Sequence, residues 1–157
     1  MPAVRAAAVV RILTGLLFVA EGYSKVTGEF VRGGFLKSAS DMARHAFPFW
    51  GRFLESAVVP HARQFAWLFA VAELAVGIAL VLGLLTRIAC GAGVALMLLI
   101  LLSEANAGPG APWHGWITAG LTPKFALLLF LLLFAVDAGR VWGIDARLRR
   151  RRLARRT

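Results

Sequence analysis

The sequence predicts an all-α integral membrane protein, a four-helix bundle with amphipathic interfacial helices in its first outer loop. Three observations carry that expectation. Hydrophobic residues make up 59% of the 157 and charged residues 17%, with a mean hydropathy of +0.73. Soluble domains average about 45–50% apolar and roughly 25% charged, and so short a chain has too little interior to hide the excess. The apolar residues also come in blocks long enough to cross a hydrocarbon core about 30 Å thick, which takes roughly 20 helical residues. The net charge of +10 is distributed in a way that suits lipid headgroups better than nucleic acid.

The first block, residues 4–23, contains Arg11 and ends near Glu21. An early arginine before an apolar run also fits a signal peptide. Arg11 splits that run, however, and no small-x-small cleavage pattern precedes Glu21, so the helix is read as retained. The second block, 65–85, is interrupted by one charge, Glu73. The third, 88–104, follows so closely that Thr86 and Arg87 are expected in the tight turn of an antiparallel hairpin. The fourth, 123–142, reaches a spanning length when Thr122 caps it, Pro123 is its first helical residue and it continues to Trp142. Residues 1–145 thus form one four-helix transmembrane domain, and 146–157 an Arg-rich tail.

Lysines and arginines in short loops set the orientation. One side holds Arg5, Arg87, Arg140, Arg147, Arg149, Arg150, Arg151, Arg152, Arg155 and Arg156; the other holds Lys25, Arg32, Lys37, Arg44, Arg52, Arg63 and Lys124. The first set is larger, which places both termini in the cytoplasm of a bacterial cell, with the protein in the plasma (inner) membrane. The arginine tail suits anionic headgroups there.

The connection 24–64 carries two amphipathic patterns: Phe35, Ala39, Met42, Ala43 and Ala46, then, after Pro48, Trp50, Phe53, Leu54, Ala57 and Val58, stopping at Pro60. Two short helices at the interface, or folded over the bundle, fit this spacing. They serve as a cap over helix ends or as a lid over a ligand. The second outer connection is rich in Gly, Pro and Ala and carries Trp113, His114 and Trp116, which fit an interfacial aromatic belt.

The single cysteine, Cys90, lies among apolar residues, so the chain cannot run an internal thiol–disulfide cycle or hold an iron–sulfur cluster alone. His45, His61 and His114 fall outside the spans, which disfavours a bis-histidine haem site. No dinucleotide fingerprint, phosphate loop or metal-ligand spacing occurs, so no metal and no cofactor with ligands from this chain is expected. Any electron it handles must come from, or pass to, a group held by another chain.

Ionisable residues inside spans cost about 2.5–3.5 kcal/mol each on insertion scales and mark candidate sites. Glu21 and Lys25 are spaced to pair along one helix. Arg11 and Glu73 sit at intermediate depth and are expected to meet between the first two spans, while Arg87 is placed to pair with Asp137 near Arg140. Buried ion pairs fixing helix register would account for Arg11, Arg87, Asp137 and Arg140. A polar pocket for a quinone headgroup is the other reading. Its candidate residues are Glu21, Tyr23 and Lys25 at the outer face, Glu73 deeper, and His114 and Trp116 folding over them.

The stretches GLLFVAEGYSKVTG, AELAVGIALVLGLLTRIA and DAGRVWGID together resemble the DoxX/DoxD superfamily of small four-helix membrane proteins, over roughly residues 8–145. The likeness lands on Gly22, Lys25, Glu73, Gly77, Gly83, Arg87, Gly139, Arg140 and Asp145. The extended first loop is more similar to the DoxD side, the small subunit of thiosulfate:quinone oxidoreductase. The resemblance implies association with membrane redox complexes and a possible quinone, but no agreed catalytic set. The leading expectation is a membrane subunit of a bacterial oxidoreductase complex that anchors redox partner subunits and forms a quinone-access pocket. Two alternatives stand beside it: a small solute or lipid carrier or channel acting as a homo-oligomer, and a non-catalytic assembly or scaffold protein.

Overall fold

An apolar chain with few strand signals leaves its backbone polar groups to be satisfied within helices. The structure, a computed structural model, describes residues 2–104 and 121–154, and among these there is no strand. Helix α1 (Pro2–Thr27) leads through a π-helical turn (Phe30–Gly34) into α2 (Phe35–His45) and α3 (Pro48–Phe53). A second π-helical segment (Leu54–Val58) and a 3-10 turn (Val59–His61) then run directly into α4 (Ala62–Leu82). Helices α5 (Thr86–Glu104) and α6 (Leu121–Ala135), a 3-10 turn (Ala138–Arg140) and α7 (Ile144–Ala154) complete the described chain.

The longer helices pack in antiparallel pairs, α1 on α4 and α5 on α6, joined by the α4–α5 hairpin. Glycine sets the first pair's spacing. A Cβ on Gly22 would stand 2.6 Å from the Leu74 amide nitrogen, and one on Gly77 2.6 Å from that of Val19. No side chain fits, so the two backbones touch, as small residues permit in membrane helices. Between the pairs, Phe130 is fully buried against Gly93 and meets Phe18 edge-to-face, ring centroids 4.8 Å apart. Val76, Leu80, Cys90, Met97 and Leu133 fill the rest of this core, where Cys90 serves as a small apolar residue.

The outer faces are as apolar as the core. Leu13 and Leu17 on α1, Leu68 and Val71 on α4, Ile88 and Leu98 on α5, and Phe125 and Leu128 on α6 are all exposed. Two helical runs, Pro48–Leu82 and Thr86–Ser103, are long and apolar enough to cross a membrane, and Thr122–Ala135 is a shorter apolar helix.

Several boundaries differ from expectation. The hairpin turn falls at residues 83–85, earlier than Thr86–Arg87, because Gly83 takes a left-handed conformation (φ 62°). Leu84 N–H then donates to Ala79 O at 2.9 Å and Gly83 N–H to Leu80 O at 3.2 Å, a Schellman close that ends α4 and frees Thr86 to begin α5. The helix expected over 123–142 stops at Ala135. Asp137 is left-handed (φ 48°), and the chain turns back to form α7 across the expected 145/146 boundary. Pro60, expected to stop a helix, sits in the 3-10 turn, so the chain stays helical from α3 to α4. The two amphipathic helices of the first connection are present as α2 and α3.

Candidate functional site

The register set by Gly22 and Gly77 brings the last turn of α1 beside the middle of α4. Lys25 Nζ donates to both carboxylate oxygens of Glu73, at 2.7 Å to Oε1 and 2.5 Å to Oε2. The Glu73 side chain is 4% exposed and that of Lys25 24%. The Lys25 ammonium also lies 5.3 Å from the centroid of the Phe30 ring. Glu21, expected to pair with Lys25, is exposed instead, as is Tyr23, and neither lines the cavity described next. His114 and Trp116, with Trp113, lie outside the described residues.

Lys25 opens onto a cavity of about 380 Å³. One wall is aromatic: Phe30 and Phe35 from the first connection and Phe65 and Phe69 from α4. Ala39 and Met42 of α2 and Trp50 and Phe53 of α3 form the roof, and Leu99, Ile100 and Ser103 of α5 the far side. Phe35 bridges to Phe30 and Phe69, with ring centroids 5.3 Å and 6.3 Å apart. The roof is tied down where Trp50 Nε1 donates to Ser103 Oγ at 3.0 Å.

The cavity's polar lining is sparse, and most of its hydrogens are already committed. Ser103 Oγ donates to Leu99 O at 2.8 Å and Ser38 Oγ to Gly34 O at 3.1 Å. An ammonium has three N–H donors, and Glu73 engages two. The third N–H of Lys25 is the donor left for a guest. The signal for this site was present in the sequence as the density of aromatic residues between 30 and 69, across the first connection and the start of the second span. What spacing alone did not show was that they face α4 and α5 together.

At the opposite end of the bundle, Arg11 is fully buried and takes another route from that expected. It does not meet Glu73. Its Nη1 donates to Ala138 O at 2.9 Å and Val141 O at 3.2 Å, and its Nη2 to Trp142 O. Asp145, carried only by the family likeness, accepts from Leu85 N–H at 2.9 Å and Thr86 N–H at 2.8 Å, capping α5 from across the fold. Its own N–H donates to Gly83 O at 2.9 Å. Three non-glycine residues in this region, Leu85, Asp137 and Trp142, take positive φ. Two buried polar atoms here, Arg11 Nε and Thr86 Oγ1, have no partner among the described residues.

The expected Arg87–Asp137 pair is not formed. Arg87 lies over the Phe134 ring, 5.0 Å from its centroid, while Asp137 accepts from Arg149 at 3.3 Å. The turn after α6 explains the exchange: it swings Asp137 toward α7. The Arg140 side chain lies outside the described residues.

The DoxX family model matches residues 6–104, which take in Arg11, Lys25, Glu73, the roof helices and the α4–α5 hairpin. The chain belongs to the DoxX family. The family is one of membrane proteins, and the apolar outer faces agree with a DoxX protein embedded in lipid. The DAGRVWGID stretch that grips Arg11 and caps α5 lies beyond the matched residues. No curated protein and no solved structure matches the chain at a significant level.

Proposed function

We propose that this DoxX protein is a multi-pass subunit of an oxidoreductase complex in the bacterial inner membrane, contributing a pocket for a quinone ring. The observation that carries the reading is the aromatic cavity with one uncommitted donor at its end. A quinone presents flat faces to aromatic walls and only acceptor atoms at its rim, so it suits four phenylalanines and the third N–H of Lys25. Glu73 keeps that ammonium aimed. The electrons would be supplied by a group on a partner chain, since this chain has no redox ligand set of its own.

Helices α1, α4, α5 and α6 are the spans in this reading. The arginines of α7 and the residues after it lie at the cytoplasmic face against anionic headgroups. A carrier using Arg11 and Glu73 as one mid-membrane site lacks geometric support. Lys25, fourteen residues and about 21 Å further along α1, holds Glu73, while Arg11 is spent on carbonyls at the other end.

Purification from native membranes in mild detergent, with mass spectrometry of co-eluting proteins and solvent extraction of bound small molecules, tests the reading. The expected result is near-stoichiometric quinone together with a cofactor-bearing partner. A Lys25→Met/Glu73→Gln variant, which removes the donor without stranding a charge, should lose at least about tenfold of that quinone. Recovery of the protein alone, as a quinone-free homo-oligomer, would overturn it.

A further inference from the structure

The cavity has a shape that says more than what lies inside it. Of the apolar side chains lining its α5 side and roof, Leu99 and Phe53 are also exposed on the protein's outer surface, at 39% and 42%. They come from helices that touch, α5 and α3, so the seam between these helices has side chains that both line the cavity and reach the outer surface. That seam is apolar, and among the described residues its polar tie is the Trp50–Ser103 hydrogen bond beside it. Just ahead of it, at the tip between α2 and α3, Phe47 and Phe49 are exposed and stacked, centroids 6.1 Å apart. Exposed stacked phenylalanines at a helix–helix tip fit a tip immersed among acyl chains.

We infer that the cavity is filled sideways from the outer leaflet, and that its ligand is a ring carrying an acceptor oxygen and a long apolar tail. The ring lies inward toward Lys25 and Phe30, and the tail leaves between Phe53 and Leu99 into lipid. This inference rests on the quinone-pocket reading above and adds the route and the tail. Volume supports it: about 380 Å³ is at the low end for small-molecule sites, room for a substituted ring and short of an isoprenoid chain. A tail therefore has to lie outside, and the outside at this seam is apolar. On α2 the roof presents Lys37, Asp41 and Arg44 outward and buries Ala39 against the cavity, with the exposed Ser38 beside it the polar side chain there.

The test uses the full chain in lipid nanodiscs and two photoreactive probes built on one dimethoxy-methyl-benzoquinone ring with a decyl tail. One probe carries its diazirine on the ring, the other at the end of the tail, and labelled residues are mapped by mass spectrometry. Ring labelling near Lys25 and Phe30, with tail labelling on Phe53, Leu99 or their neighbours along the α3–α5 seam, is the expected result. Both signals should disappear under excess unlabelled quinone. Leu99→Trp, at a lining position that is also exposed, should cut labelling by the tailed ring probe at least about tenfold, and by far more than labelling by a tail-less ring. Ring labelling in the cavity with tail labelling on the aqueous face of α2, or an unaffected Leu99→Trp, would overturn lateral entry and leave the pocket standing. Ring labelling that avoids the cavity altogether would overturn the pocket and this inference with it.

Discussion

Arg11 and Lys25 sit on the same helix and meet their burial in opposite ways. Arg11 spreads a planar fork with five donors over three carbonyls, a geometry lysine cannot copy. Arg11→Met should therefore cost at least about 3 kcal/mol, since each stranded buried carbonyl costs about 1–3 kcal/mol. Arg5→Met, at an exposed site one and a half turns away, should stay within about 0.5 kcal/mol. Unfolding of the purified variants followed by circular dichroism measures both. Lys25 instead shares one carboxylate, so Lys25→Met leaves Glu73 buried without its ion-pair partner, at a cost of about 3 kcal/mol. Adding Glu73→Met should recover most of that loss, and a double variant no better than the single one would refute the pairing as an energetic unit. The sequence supplied these charges but set Arg11 and Glu73 at one depth, whereas Glu73 sits with Lys25, about 21 Å along α1 from Arg11. It could not supply the partners, because Glu73 finds Lys25 only through the register that Gly22 and Gly77 impose on α1 and α4.

At the scale of elements, a missing side chain decides the packing. Gly77→Leu would place a Cβ 2.6 Å from the Val19 nitrogen and must push α1 away from α4, whereas a Cβ on Gly91 meets nothing within 4 Å. We expect Gly77→Leu to lower the unfolding midpoint sharply and to part Lys25 from Glu73. Gly91→Ala should be neutral or stabilising by up to about 1 kcal/mol. Equal midpoints for the two variants would contradict the close crossing. The helices themselves were legible because their apolar runs are long. Their ends were less so. Hydropathy continues smoothly through Leu84 and Val136, and what stops the helices is backbone conformation: a left-handed Gly83 and a left-handed Asp137. The aromatic cavity was half legible, since α2 and α3 show amphipathic spacing but nothing in that spacing names the surface they cover.

Across the whole molecule, the chain after α6 divides into a part that holds the bundle and a part that does not. Residues 138–145 grip Arg11 and cap α5, while Arg147 and Arg149 on α7 are exposed. Removing residues 147–157 should leave the unfolding midpoint nearly unchanged but reduce the anionic lipid retained in native mass spectrometry. Each basic residue near a charged leaflet contributes about 1 kcal/mol of attraction. An unchanged lipid complement would refute a headgroup role for the tail. The Arg11 clasp also has a bearing on biogenesis. It joins residues 127 to 131 positions apart, the first helix made and nearly the last stretch. Until that stretch leaves the ribosome, a guanidinium on the first helix has no carbonyls from the chain's end to receive it. Residues 138–142 must therefore be present before Arg11 can reach the partners it has in the folded protein.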